Sequence, residues 1–149
     1  DMDIFCNSIT EKALRKEFPY VFSDMQYPGI PKVNVAIFEN KKFHINNTAI
    51  LPIKAKHYLL PVFGFRIYNF VYLTDISEIS EKEKEKMQGA DLIILDALRQ
   101  SPHISHLSLN QAVELLEELK PKKALLIHIS HLMGLHDKVN NTLPENINL

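Results

Sequence analysis

Apolar and polar positions along the chain follow two rhythms. Residues 33–38, Val33-Asn34-Val35-Ala36-Ile37-Phe38, alternate and are rich in β-branched side chains, which predicts a strand. Residues 50–55 are apolar with Pro52 inside, the pattern of an edge or bulged strand, because proline cannot donate to a ladder. Residues 66–73 are strongly β-prone and predict one further strand. The short continuous apolar runs 91–95 and 124–127 have the character of strands buried on both faces. Helical spacing appears between them. Leu109, Ala112, Val113, Leu116 and Leu119 form one stripe, with Ser108 placed as N-cap and Pro121 just beyond the end. Residues 81–87 predict a short charged helix, and the alternating charges from Glu81 to Lys86 fit a solvated face. Residues 130–140 predict a helix of weak periodicity. Residues 1–17 predict a loop running into a helix over 10–17 with Thr10 as N-cap, and the Pro/Gly-rich segment 27–31 predicts a loop. The order of elements points to a layered α/β protein.

Composition narrows the class. The chain has 149 residues, 46% apolar, 23% charged and 9% aromatic, which excludes a disordered chain and suits one domain or part of one. Lys+Arg is 17 against Asp+Glu 18, with no basic cluster, so a nucleic-acid partner is not expected. The single cysteine, Cys6, cannot form an internal disulfide, which points to a reducing, cytoplasmic setting. No apolar run reaches the roughly 20 residues that span a bilayer, so no membrane partner is expected.

The seven histidines carry the candidate chemistry. His57 follows the 50–55 run, Asp75 ends the sequence Leu73-Thr74-Asp75, and His128 ends the 124–127 run. Ligand-type side chains at several strand ends can build a metal site on a rigid sheet. His and Asp suit zinc, manganese or iron, so ligand type does not fix the metal. The sequence has no His-x-His, His-Glu-x-x-His or cysteine pair, and an isolated strand-end histidine is commonly structural. From residue pattern alone the reading ends at an α/β domain with a candidate His/Asp site.

The blocks His57-Tyr58-Leu59-Leu60-Pro61-Val62-Phe63-Gly64-Phe65-Arg66-Ile67 and Phe70-Val71-Tyr72-Leu73-Thr74-Asp75 resemble the second half of metallo-β-lactamase-fold hydrolases. Leu95-Asp96-Ala97-Leu98-Arg99, Pro102-His103-Ile104-Ser105-His106-Leu107-Ser108-Leu109 and Ile127-His128-Ile129-Ser130-His131 continue the match in order and spacing. The branch they resemble is the cyclic phosphodiesterase of phosphonate breakdown, itself similar to tRNA 3′-end-processing nucleases. The resemblance implies an αββα sandwich with a dinuclear centre of zinc or manganese at one edge. It implies that His57 binds one metal, Asp75 bridges both, and His128 binds the other. His106 would stand outside the metals and donate a hydrogen bond to a phosphate oxygen. Two cations would lower the pKa of a bridging water, so that hydroxide attacks phosphorus near neutral pH without a side-chain nucleophile. His131 is expected to contact ligand residues or substrate. His103 is expected as an exposed loop residue, His44 and His136 as surface histidines, and Arg66 in a structural role.

The family's His-x-His-x-Asp-His block is absent, and the chain opens at Asp1 rather than Met. The expectation is that residues 1–149 are the C-terminal part of a single metallo-β-lactamase-like domain, about half of the sandwich. Alone, such a piece would offer each metal about two ligands, fewer than catalytic zinc sites keep, so it is expected to bind metal weakly and to be inactive. It is also expected to self-associate, or to associate with the missing half, through an exposed apolar sheet face. The expected substrate of the whole protein is a small phosphodiester or other ester. A thiolester hydrolase on the same fold and a non-catalytic α/β interaction domain are the alternatives.

Overall fold

The computed structural model describes residues 2–23 and 28–149. The chain divides into two compact units, Asp1–Lys41 and Lys42–Leu149.

In the first unit, strand β1 (Met2–Cys6) pairs parallel with β2 (Val33–Ile37), from Met2 opposite Val33 to Cys6 opposite Ile37. Parallel neighbours need a crossover, and helix α1 (Ser8–Glu17) lies in the connection. Two expectations are corrected here. The opening residues form a strand rather than a loop, because Val33–Ile37 supplies a partner distant in sequence. The N-cap is Asn7 rather than Thr10: Asn7 Oδ1 accepts the N–H groups of Ile9 and Thr10 at 2.9 and 2.8 Å. Tyr27, within the expected 27–31 loop, lies outside the described residues, and Pro28 and Gly29 form a turn.

The second unit is built on an eight-stranded mixed sheet. Strands β3 (Phe43–Ile45), β4 (Thr48–His57), β5 (Leu60–Ile67) and β6 (Phe70–Leu73) form an antiparallel meander. A short β7 (Glu78–Ile79) adds to β4, and β8 (Leu92–Asp96), β9 (Lys123–Ile127) and β10 (Ile147–Asn148) follow β6 in parallel. Helices α2 (Glu81–Glu85), α3 (Leu109–Leu119) and α4 (His136–Asn140) complete the unit. Ile53, Val71, Leu73, Ile93, Leu95, Leu116 and Leu126 are almost wholly buried in one cluster with the apolar stripe of α3. Ser108 caps α3 in a reciprocal capping box with Gln111, as its position before the apolar stripe predicts. No described helix is long and apolar enough to cross a membrane.

The strand expected over 66–73 is two strands. A two-residue turn, Tyr68-Asn69, reverses the chain, with Tyr68 at φ +52° and Arg66 Nε donating to Tyr68 O at 2.8 Å. An aromatic residue in this turn hides it from a reading that looks for Gly or Pro. The Arg66 guanidinium also donates to Lys86 O and Gln88 O, which gives it the expected structural role. Gly64 of β5 lies so close to β6 that a Cβ there would stand 2.6 Å from Tyr72 O. The helix expected over 130–140 is confined to α4, because Gly134, at φ +109°, breaks the segment.

The charged run is also not simply a solvated face. Strand β3 covers β4 as far as Ile50, β7 covers Ala55 and Lys56, and the edge between them faces α2. There Pro52 has no N–H to satisfy, and its carbonyl accepts from Lys86 Nζ at 2.9 Å. Lys54 N donates to Glu83 Oε2 at 2.8 Å, and Glu83, only 6% exposed, pairs with Lys86 at 2.7 Å. Replacement Glu83→Ala leaves a part-buried N–H and a partly exposed ammonium without this carboxylate. It is expected to lower stability by about 1–3 kcal/mol, read as a lower urea midpoint at unchanged slope.

Candidate metal centre

Strands β4, β6, β8 and β9 run in the same direction, so their C-terminal ends share one edge of the sheet. His57 is the last residue of β4, Asp75 lies two residues beyond β6, Asp96 is the last residue of β8, and His128 follows β9 directly. His106 reaches the same edge from the loop between β8 and α3. That loop is held by Leu98 N to Leu107 O at 3.0 Å, by Leu109 N to Arg99 O at 2.9 Å, and by Arg99 Nη2 to Pro102 O at 2.7 Å.

The predicted site residues converge. One ligand atom each from His57, Asp75 and His106 lies within 4.8 Å of the others. His57 Nε2 is 3.2 Å from His106 Nε2, and His128 Nε2 is 3.4 Å from Asp75 Oδ1. The rings of His106 and His128 stack at 4.7 Å. Asp75 and His128 both hold left-handed backbone conformations, φ +59° and +62°. Such residues cost of order 1–3 kcal/mol each and cluster where a side chain must be aimed. His103 is corrected: it is half-buried, its ring centre 5.3 Å from that of His106, and its Nδ1 lies 3.3 Å from Ser105 N. His44, His131 and His136 are exposed.

Asp96 is the residue that sequence reasoning left without a role. It is fully buried, its Oδ1 accepts from Ile76 N at 3.2 Å, and its Oδ2 lies 3.5 Å from His106 Nδ1. These two atoms are the buried side-chain polar atoms without a hydrogen bond among the described residues. The signal was present, since Asp96 ends the apolar run 91–95 as His128 ends 124–127. Burial pushes Asp96 up to about 6, opposed by the Ile76 and Leu107 N–H groups. Burial, then the neighbouring His128 and His57, pulls His106 down. Each group is thus drawn toward its neutral form, and at 3.5 Å no hydrogen bond joins them. Asp96→Asn keeps Oδ1 for Ile76 but loses the acceptor facing His106.

The residues fit divalent cations. Two imidazoles and a carboxylate form a nitrogen and oxygen donor set that zinc and manganese accept, and their aimed atoms meet at one edge. The matched geometry includes His106, whereas the motif resemblance assigns His128; the short Asp75–His128 approach brings both within the same cluster.

A sheet edge bearing this His/Asp cluster, on a mixed sheet with helices in its core, is the architecture of a metallo-β-lactamase fold. The chain belongs to the β-lactamase superfamily domain family, whose model matches residues 1–129. Among solved structures it is similar to a diphosphatase from the PhnP family, with 31% identity and a TM-score of 0.88, covering 99% of this chain and 54% of that one. It also shares the fold of YhfI from Bacillus subtilis, with 18% identity and a TM-score of 0.73, covering 99% of this chain and 61% of that one. A curated relative is an octanoyltransferase of Porphyromonas gingivalis (strain ATCC BAA-308 / W83), 26% identical over 149 residues, 99% of this chain and 30% of that protein. The chain thus spans about half the diphosphatase and less than a third of the octanoyltransferase. The family expected from the His57–Asp75 and Pro102–Leu109 blocks is the family found.

Proposed function

We propose that the whole protein is a metal-dependent hydrolase of phosphodiesters, with this chain supplying His57, Asp75 and His128 to two divalent cations. Three side chains do not complete two catalytic coordination shells, so the reading places the remaining ligands outside this set. Bound cations would supply Lewis-acid activation of water and neutralisation of phosphoryl charge. The chain's own residues do the rest. Asp75 and His128 leave their strand ends on left-handed backbones and present donor atoms 3.4 Å apart. Asp96 Oδ2 takes the Nδ1 proton of His106 as a hydrogen bond and steadies the ring when it carries a second proton on Nε2. His106 Nε2, facing the cluster, donates that proton to a phosphoryl or leaving oxygen. The 3.5 Å separation of the dyad is slightly longer than a hydrogen bond, as catalytic contacts often are before substrate closes them.

The observation that carries the reading is the meeting of His57, Asp75, His106 and His128 at one sheet edge, backed by the orphaned Asp96–His106 pair. The similarity to a diphosphatase favours a second reading, hydrolysis of a phosphoanhydride by the same residues. A panel on the manganese- or zinc-loaded whole protein decides between them: bis(p-nitrophenyl) phosphate, a cyclic nucleotide, an aryl diphosphate and a thiolester. Turnover of the thiolester alone would overturn both phosphorus readings.

A further inference from the structure

Beside the centre lies a cavity of about 520 Å³ that the reaction scheme does not use. Its wall shares His103 with the histidine cluster, since the His103 ring also stands 5.3 Å from His106. Two rings, Tyr58 and His103, and two aliphatic side chains, Leu59 and Ile104, line it. Leu59 and Ile104 are 76% and 68% exposed, a high exposure for apolar side chains next to a polar centre. The charged lining is self-neutralised: Lys56 Nζ reaches both carboxylate oxygens of Glu78 at 3.0 Å. No unpaired cation therefore stands ready for a second phosphate in this cavity.

The hairpin tip is built to hold Tyr58 in place. The β4–β5 turn is Tyr58-Leu59, and Tyr58 occupies φ +55°, a turn position usually given to Gly or Asn. Tyr58 N donates to Ser77 Oγ at 2.9 Å, while Ser77 Oγ and Ser77 N both donate to Lys56 O. The tip is thereby tied to the loop that carries Asp75. The backbone that carries this aromatic side chain is held, at some conformational cost, one residue from His57.

We propose that this cavity receives the leaving group of the substrate, and that it selects an uncharged, planar, apolar one such as an aryl alcohol. The inference rests on the hydrolase reading, because a leaving group needs a reacting phosphoryl group beside His57 and Asp75. Planarity is argued from the two rings that line the cavity, and lack of charge from the paired Lys56 and Glu78.

The test uses phosphonates, which carry the phosphoryl oxygens but cannot be hydrolysed. Phenylphosphonate and methylphosphonate are titrated calorimetrically into the manganese-loaded whole protein. Phenylphosphonate is expected to bind about tenfold tighter. In a Tyr58→Gly/Ile104→Ser double variant that ratio falls toward one. Glycine suits the left-handed turn and Ile104 is exposed, so the variant keeps its fold, checked by thermal melting. Tyr68→Gly, the same change in the turn at the other end of β5, retains the tenfold ratio. Equal binding of the two probes by the unaltered protein, or a ratio that survives the double substitution, overturns the subsite and leaves the hydrolase reading standing. Failure of both probes to bind in a metal-dependent way overturns the hydrolase reading and the subsite with it.

Discussion

Asp75→Asn is expected to abolish the phosphodiester hydrolysis proposed for the whole protein, lowering turnover of bis(p-nitrophenyl) phosphate by at least about a thousandfold. Asparagine tolerates the left-handed backbone at φ +59°, so the fold survives the change. What disappears is the negative charge that stands within 4.8 Å of the His57 donor atom and 3.4 Å from His128 Nε2. Divalent cations held by these residues would need a nearby anion to neutralise them, and the amide cannot supply it. Bound metal, measured by mass spectrometry on the dialysed protein, is expected to fall in parallel. Were this an interaction domain that kept the scaffold and lost the chemistry, the same substitution would change neither metal content nor any turnover. The two readings therefore separate on one variant.

His106→Ala is expected to lower kcat by about 10²–10⁴-fold, the usual contribution of a positioned proton donor, with metal content retained. The retained metal is the decisive part. His106 lies within 4.8 Å of the His57 and Asp75 donor atoms, so geometry alone would admit it as a ligand. Its Nδ1, however, points at buried Asp96, which suits a residue that handles protons. Loss of metal in His106→Ala with retention in His128→Ala would reverse the two assignments. Asp96 Oδ2 has no hydrogen bond to lose, so thermal melts of the two variants are expected to move little beside the fall in kcat.

Much of the site was legible because buried parallel strands announce themselves. The runs 91–95 and 124–127 are continuous and apolar, and the polar residue that ends each falls at the sheet edge where loops begin. His57 and Asp75 could be placed because each follows a strand-like run, 50–55 and 66–73. That the four side chains meet was not legible from spacing, since it depends on β4, β6, β8 and β9 sharing a direction, a property of pairing between distant segments. The motif resemblance supplied that step. Asp96 went without a role because the side chain it faces, His106, lies ten residues on and around a loop. The β5–β6 turn was missed because Tyr68 stands where glycine is expected. Strand β1 was missed because five residues show no pattern until a partner fixes their faces. Glu83 was misread because an alternating charge run gives no hint of which carboxylate turns inward toward Lys54 N.

That inward carboxylate also bears on how copies of the chain behave at high concentration. The stretch of β4 between β3 and β7 would otherwise present a bare donor and a bare acceptor to any extended segment in solution. Glu83 occupies the donor at Lys54 and Lys86 the acceptor at Pro52, so a foreign strand finds no ladder to continue there. The same pair that anchors α2 thus acts as a guard against fibre-like growth along this margin, and a variant lacking it would be prone to aggregate even before it unfolds.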